Sequence, residues 1–160
     1  MKSILGVVAA ALAASGIAHA SGNPIQRDPI TVRVDAPVFL GATPACPQFR
    51  AHTRLLSESG AVVGSSMLCV ESVTFDDSTA TLTEVGVLTL HLPAGTIVTT
   101  ATLADGFGGY PIVTQTISGS VTAGTGMYLG ASGTLGGGGT IVFDDNGVPH
   151  PDSTLVVDLD

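Results

Sequence analysis

The sequence predicts an all-β domain, and three observations predict it. No segment beyond residue 20 sustains apolar residues at helical spacing while avoiding Gly and β-branched residues. Runs rich in Val, Ile and Thr recur instead, and Gly, Pro, Asn or Asp punctuate them at the spacing of consecutive antiparallel strands. With 160 residues, 44% hydrophobic and 11% charged, the chain is one compact domain, too apolar and too sparsely charged to stay unfolded. Thirteen acidic residues against five Lys plus Arg give a formal charge of −8, which leaves no basic surface for a phosphate backbone. Nucleic acid is therefore excluded as a partner.

The first 20 residues read as an export signal. Lys2 gives a positive start, the run from Ile4 to Ala14 is short and apolar, and Ala18-His19-Ala20 places small residues at a signal-peptidase site. Cleavage is expected between Ala20 and Ser21. The run is shorter than the roughly 20 residues a membrane helix needs, so no integral membrane association is expected after cleavage. Residues 21–45, with Pro24, Pro29 and one candidate strand, read as a lead segment, and residues 46–160 as the barrel domain. A secreted or periplasmic location then lets Cys46 and Cys69 bridge.

Nine strands are expected in order: Ile30 to Leu40, Gln48 to Ser57, Ala61 to Val70, Glu84 to His91, Thr96 to Ala104, Ile112 to Thr122, Gly126 to Leu135, Thr140 to Phe143 and Ser153 to Leu159. Ser57-Glu58-Ser59-Gly60 and Leu92-Pro93-Ala94-Gly95 are hairpin corners. Gly136 to Gly139 reads as a flexible connection, and Asp144-Asp145-Asn146-Gly147 as a turn beyond which Pro149 and Pro151 bar ladder pairing. Composition permits a sandwich or a barrel. Closure would remove exposed sheet edges, and glycines within strands suit the tight bends of a small barrel.

Residues 124 to 133 carry the pattern Gly124-Thr125-Gly126-x-Tyr128-x-Gly130-Ala131-x-Gly133. This pattern resembles the signature of dirigent proteins and allene oxide cyclase-like barrels. The resemblance implies an antiparallel eight-stranded barrel with a central cavity, holding a hydrophobic small molecule and steering its coupling or ring closure by shape. It also implies association through barrel exteriors, hence a homo-oligomer. Physically, Gly124, Gly126, Gly130 and Gly133 serve the backbone of a turn, with Tyr128 as its anchor, so the motif builds the barrel and carries no catalytic residue across.

Other chemistry is poorly supplied. The Gly-rich stretches lack the Lys-Ser/Thr ending of a phosphate loop, no Gly-x-Ser-x-Gly occurs, and His52, His91 and His150 lack metal-ligand spacing. No metal and no cofactor are expected. If the domain is an enzyme, it is of cyclase or isomerase type without redox activity, and Glu71 and Glu84 are the candidate acids or bases. Phe49, Met67 and Tyr128 are the candidate ligand contacts. Alternation puts Arg50, His52 and Arg54 on the outer face of their strand, opposite Phe49, Ala51, Thr53 and Leu55.

The competing reading is a filled barrel serving as a structural or self-association module through an outer face bearing Thr96, Thr99, Thr100 and Thr102. An enclosed pocket of at least ~300 Å³ with one or two buried polar groups would favour the ligand reading, and a packed interior the filled-barrel reading.

Overall fold

The structure is a computed structural model that describes residues 28–160. The leader assigned to residues 1–20 and its cleavage point lie outside the described residues.

Nine strands form one antiparallel sheet: β1 (Ile30–Val34), β2 (Val38–Leu40), β3 (Phe49–Leu56), β4 (Val62–Asp76), β5 (Thr81–Leu92), β6 (Gly95–Gly106), β7 (Ile112–Gly124), β8 (Gly133–Phe143) and β9 (Pro149–Leu159). Each strand from β3 to β9 pairs with its sequence neighbour. Closure comes from β1, which pairs with β9 from Ile30↔Val157 to Val34↔Ser153 and meets β3 at Arg33↔Leu56 and Val34↔Leu55. β2 continues the same stave, pairing Val38 with His52 and Leu40 with Arg50 after a break at Asp35-Ala36-Pro37. Pro37 has no N–H to give a ladder, and the Asp35 carboxylate takes up the Ala36 N–H at 2.9 Å while pairing with Arg54. The result is an eight-stave closed barrel, its circuit completed by β1 between β9 and β3.

Three sequence expectations are corrected. Residues 30 to 40 are not a lead outside the barrel, because β1 is the stave that zips β9 to β3. Gly136 to Gly139 is no flexible connection. These residues lie within β8, paired with Ser118 to Gln115 on one side and Val156 to Ser153 on the other. A Cβ at Gly137 would stand 2.1 Å from the Thr154 carbonyl oxygen, so only glycine lets the strands approach this closely. Pro149 and Pro151 do not end pairing either: both sit in β9 opposite Phe143 and Ile141. At that level β9 has β8 on one side only, since β1 joins at Ser153, and an edge tolerates residues without an N–H.

Alternation sorts the side chains. On β6 the odd residues face inward: Ile97 and Thr99 are fully buried and Ala101 is 1% exposed. Thr99, expected on an outer threonine face, is thus inside, donating its hydroxyl to the Leu88 carbonyl at 3.3 Å. Arg50, His52 and Arg54 stand outside as their alternation requires.

The barrel has two unlike halves. Around the end that carries the β3–β4 and β5–β6 hairpins, Leu55, Leu90, Ile97, Val121, Leu135 and Val157 fill the interior. Each such side chain contributes about 1.5–3 kcal/mol on burial. The turn from Gly124 to Gly133 closes this end. Gly126, Gly130 and Gly133 have φ of +61°, +75° and +142°, and at Gly124 a Cβ would stand 2.1 Å from the Tyr128 carbonyl oxygen. The half-buried Tyr128 packs against the core. Outside the barrel, a disulfide joins Cys46 to Cys69 and ties the loop between β2 and β3 to β4.

Candidate functional site

The other half of the barrel is open. A cavity of about 360 Å³ enters between the 107–111, 144–148 and 35–48 loops and ends on the filled core. Its walls are largely apolar. Phe39 and Phe49 meet edge to face with ring centroids 5.7 Å apart, while Phe107, Phe143, Leu103 and Ile117 line the remaining staves.

Five polar residues interrupt these walls, and alternation puts each of them inside. Thr53 on β3 and Ser66 on β4 are cross-strand partners whose hydroxyls bond to each other at 2.7 Å, so the pair is satisfied within the wall. Asp105 on β6 pairs in register with Gln115 on β7 and accepts the Gln115 Nε2–H at 2.9 Å. Ser153 on β9 donates its hydroxyl to Gln115 Oε1 at 3.0 Å. That bond holds the amide in one orientation: nitrogen toward Asp105, oxygen toward Ser153.

Glu84 completes the set from β5, opposite Leu103 and one inward position away from Asp105. Among the described residues no side-chain hydrogen bond holds it, and it faces the cavity. Burial among apolar walls, with the neighbouring Asp105 charge, pushes its carboxyl up from 4.5 to about 7. Burial also raises Asp105, against the lowering effect of its Gln115 hydrogen bond. A carboxyl that titrates near neutrality beside a second carboxyl, in a cleft, can give or take a proton.

The five residues proposed for chemistry from sequence part company here. Glu84 and Phe49 line the cavity. Glu71 does not: the β4–β5 register runs Val70↔Gly86 then Ser72↔Val85, so Glu71 is the extra residue of a bulge and is exposed outside. A Cβ at Gly86 would meet the Cys69 carbonyl oxygen at 2.0 Å, so glycine is what permits the bulge. Met67 alternates with Ser66 and Leu68 and therefore faces outward. Tyr128 belongs to the plug at the far end, remote from the cavity along the barrel axis.

Asp105, Gln115 and Ser153 were not singled out from the sequence. A signal existed: Asp105 shares the parity of Ile97, Ala101 and Leu103 and lies one residue past the strand end drawn at Ala104. The acidic turns are structural. Asp144 receives the Asn146 and Val148 N–H groups at 2.9 and 2.8 Å, and Asp76 receives the N–H and hydroxyl of Ser78 at 2.8 and 2.6 Å. Among the described residues no group of three or more His, Cys, Asp or Glu is placed to hold a metal ion, and no helix is long and apolar enough to cross a membrane.

No family model matches the sequence, and no curated protein matches it. Among solved structures the chain is similar to one named pyocyanin demethylase, at 20% identity and a TM-score of 0.51, over 83% of this chain and 100% of that one. At that identity the likeness is one of fold, and the fold it supports is the closed antiparallel barrel described above.

Proposed function

We propose that this chain is an exported barrel that holds one hydrophobic small molecule in its open half and steers its conformation, as the resemblance to dirigent and allene oxide cyclase-like barrels implies. The observation that carries this reading is the cavity of about 360 Å³ whose largely apolar wall holds Glu84 among a few polar groups. It exceeds the ~300 Å³ at which small-molecule pockets begin, and a few polar groups on apolar walls are the usual composition of such sites.

Glu84 is the acid-base group of this reading, its proton kept near neutral pH by burial first and by the neighbouring Asp105, held by Gln115, second. Proton transfer with shape control is the chemistry of isomerisation or ring closure and requires no redox cofactor. Export is supported by the Cys46–Cys69 disulfide, which persists in an oxidising compartment, together with the leader read in residues 1–20.

The test is native purification from the exported fraction followed by denaturing extraction and mass spectrometry. A lipophilic compound recovered in stoichiometric amount from the parent protein, and lost when Leu103→Trp fills the cavity, is the expected result. Recovery of the same compound from a correctly folded Leu103→Trp variant would overturn it.

A further inference from the structure

The cavity is electrostatically one-sided. Glu84 and Asp105 are its titratable groups. The lining side chains around them are uncharged: Leu82 from β5, Leu103 from β6, Gln115 and Ile117 from β7, and Phe107 from the turn above, and Val73, in register with Glu84 on β4, is apolar. Every described cation is elsewhere. Arg33 pairs with Asp152 outside the barrel, Arg54 with Asp35, and Arg50 donates to the Gly41 carbonyl. His52, His91 and His150 do not line the cavity.

Consider what such a wall does to each class of ligand. A carboxylate or other anion would be a third negative centre with no cation to meet it, and desolvating it here would be costly. A neutral hydrocarbon would satisfy the phenylalanines but leave Glu84 covered with no hydrogen-bond partner. A cation suits both features, because it relieves the repulsion between the carboxylates and is attracted to the faces of aromatic rings.

Resting on the small-molecule reading above, we propose that the ligand is a flat apolar compound carrying one positive charge or one weakly basic nitrogen. Its cationic atom lies against Glu84 and Asp105, and its ring system lies among Phe39, Phe49, Phe107 and Phe143. A permanently charged ligand drives Glu84 to its ionised form, so its complex releases protons as it forms and tightens as pH rises through neutrality, whereas a weakly basic nitrogen takes up the Glu84 proton itself.

Calorimetry on the intact protein tests this with three probes of matched shape: N-methylquinolinium, naphthalene and naphthoate. The expected result near pH 8 is about tenfold tighter binding of the cation than of naphthalene, and naphthoate weakest. At about pH 5.5 the cation should lose roughly tenfold while naphthalene is unchanged, and proton release should appear as a dependence of the heat on the buffer. Glu84→Gln, folded as judged by its circular dichroism, should weaken the cation by about tenfold and spare naphthalene. Naphthalene or naphthoate binding as tightly as the cation would overturn the charge assignment and leave the apolar-ligand reading standing. Failure of all three to bind would overturn both.

Discussion

Gln115 and Ser153 lie on strands two places apart, yet their side chains bond at 3.0 Å across β8, where Gly139 stands in register with both. A side chain at that position is excluded, since a Cβ would fall 2.0 Å from the Asp152 carbonyl oxygen. The absence of one side chain therefore lets a hydrogen-bond chain run from Ser153 through Gln115 to Asp105.

Breaking that chain at its Ser153 end or at its middle link should have distinct effects. Ser153→Ala removes one hydrogen bond and should lower stability by about 1 kcal/mol, read by urea unfolding. Gln115→Leu removes the contact that lowers the Asp105 carboxyl, so Asp105 should titrate higher still, read by carboxyl-carbon NMR. An unchanged Asp105 titration in Gln115→Leu would show that the amide does not hold that carboxyl.

The barrel's stability should depend on pH through Glu84. Folded, this group keeps its proton up to about pH 7, whereas its ordinary value is 4.5. Between those values the folded chain binds more protons than the unfolded one, so stability falls as pH rises and levels off above neutrality. Asp105 acts in the same sense. Asp35, Asp76 and Asp144, lowered by hydrogen bonds, act oppositely and remove stability only in more acid solution. Glu84→Gln should therefore be more stable than the parent near pH 8 by about 1–2 kcal/mol after allowance for solvent screening, and the gain should vanish below about pH 4.5. Urea midpoints at the two extremes check it.

Glu71 supplies the contrast. As an exposed bulge residue it should tolerate Glu71→Gln with no change in the binding of any cavity ligand and less than about 0.5 kcal/mol in stability. A tenfold loss of ligand affinity in Glu71→Gln would mean the bulge places this carboxyl differently.

These two carboxylates also mark what the sequence could and could not disclose. The strands were legible because Val, Ile and Thr alternate against Gly, Pro and Asp punctuation, a local property. Whether Glu71 or Glu84 faces inward was not, because one bulged residue after Val70 reverses the parity of the rest of β4. Gly136 to Gly139 looked like a connection because glycine is locally permissive. What pins it in β8 is the close approach of β7 and β9, which lie on other parts of the chain. Asp105 beside Gly106 likewise reads as a turn, and only closure of the barrel turns it to the cavity.

The disulfide predicts a stability difference that leaves the barrel's ladder intact. Cys46 and Cys69 are 23 residues apart, and the bond confines that loop in the unfolded chain, a contribution of about 3 kcal/mol by loop-closure entropy. Cys46→Ser paired with Cys69→Ser should lower the unfolding free energy by about that amount and keep the far-ultraviolet circular dichroism of the parent. Loss of the β signal would show instead that the loop between β2 and β3 is needed to seat the closing stave.

The two halves of the interior should respond differently to truncation. Ile97 is fully buried in the filled half, where a shortened side chain leaves a void with no route for solvent, so Ile97→Ala should cost about 2–5 kcal/mol. Leu103 is on the same strand and parity, three turns of the pleat further toward the mouth, where its side chain already borders open volume. Leu103→Ala leaves no new sealed void and should cost less, about 1 kcal/mol, while enlarging the cavity by roughly the three carbons removed. Paired urea titrations give the comparison, and binding of a bulkier aromatic probe by Leu103→Ala but not by the parent reports the added room. Equal losses for the two variants would mean that the upper half collapses onto its own side chains in solution, leaving no volume for a ligand.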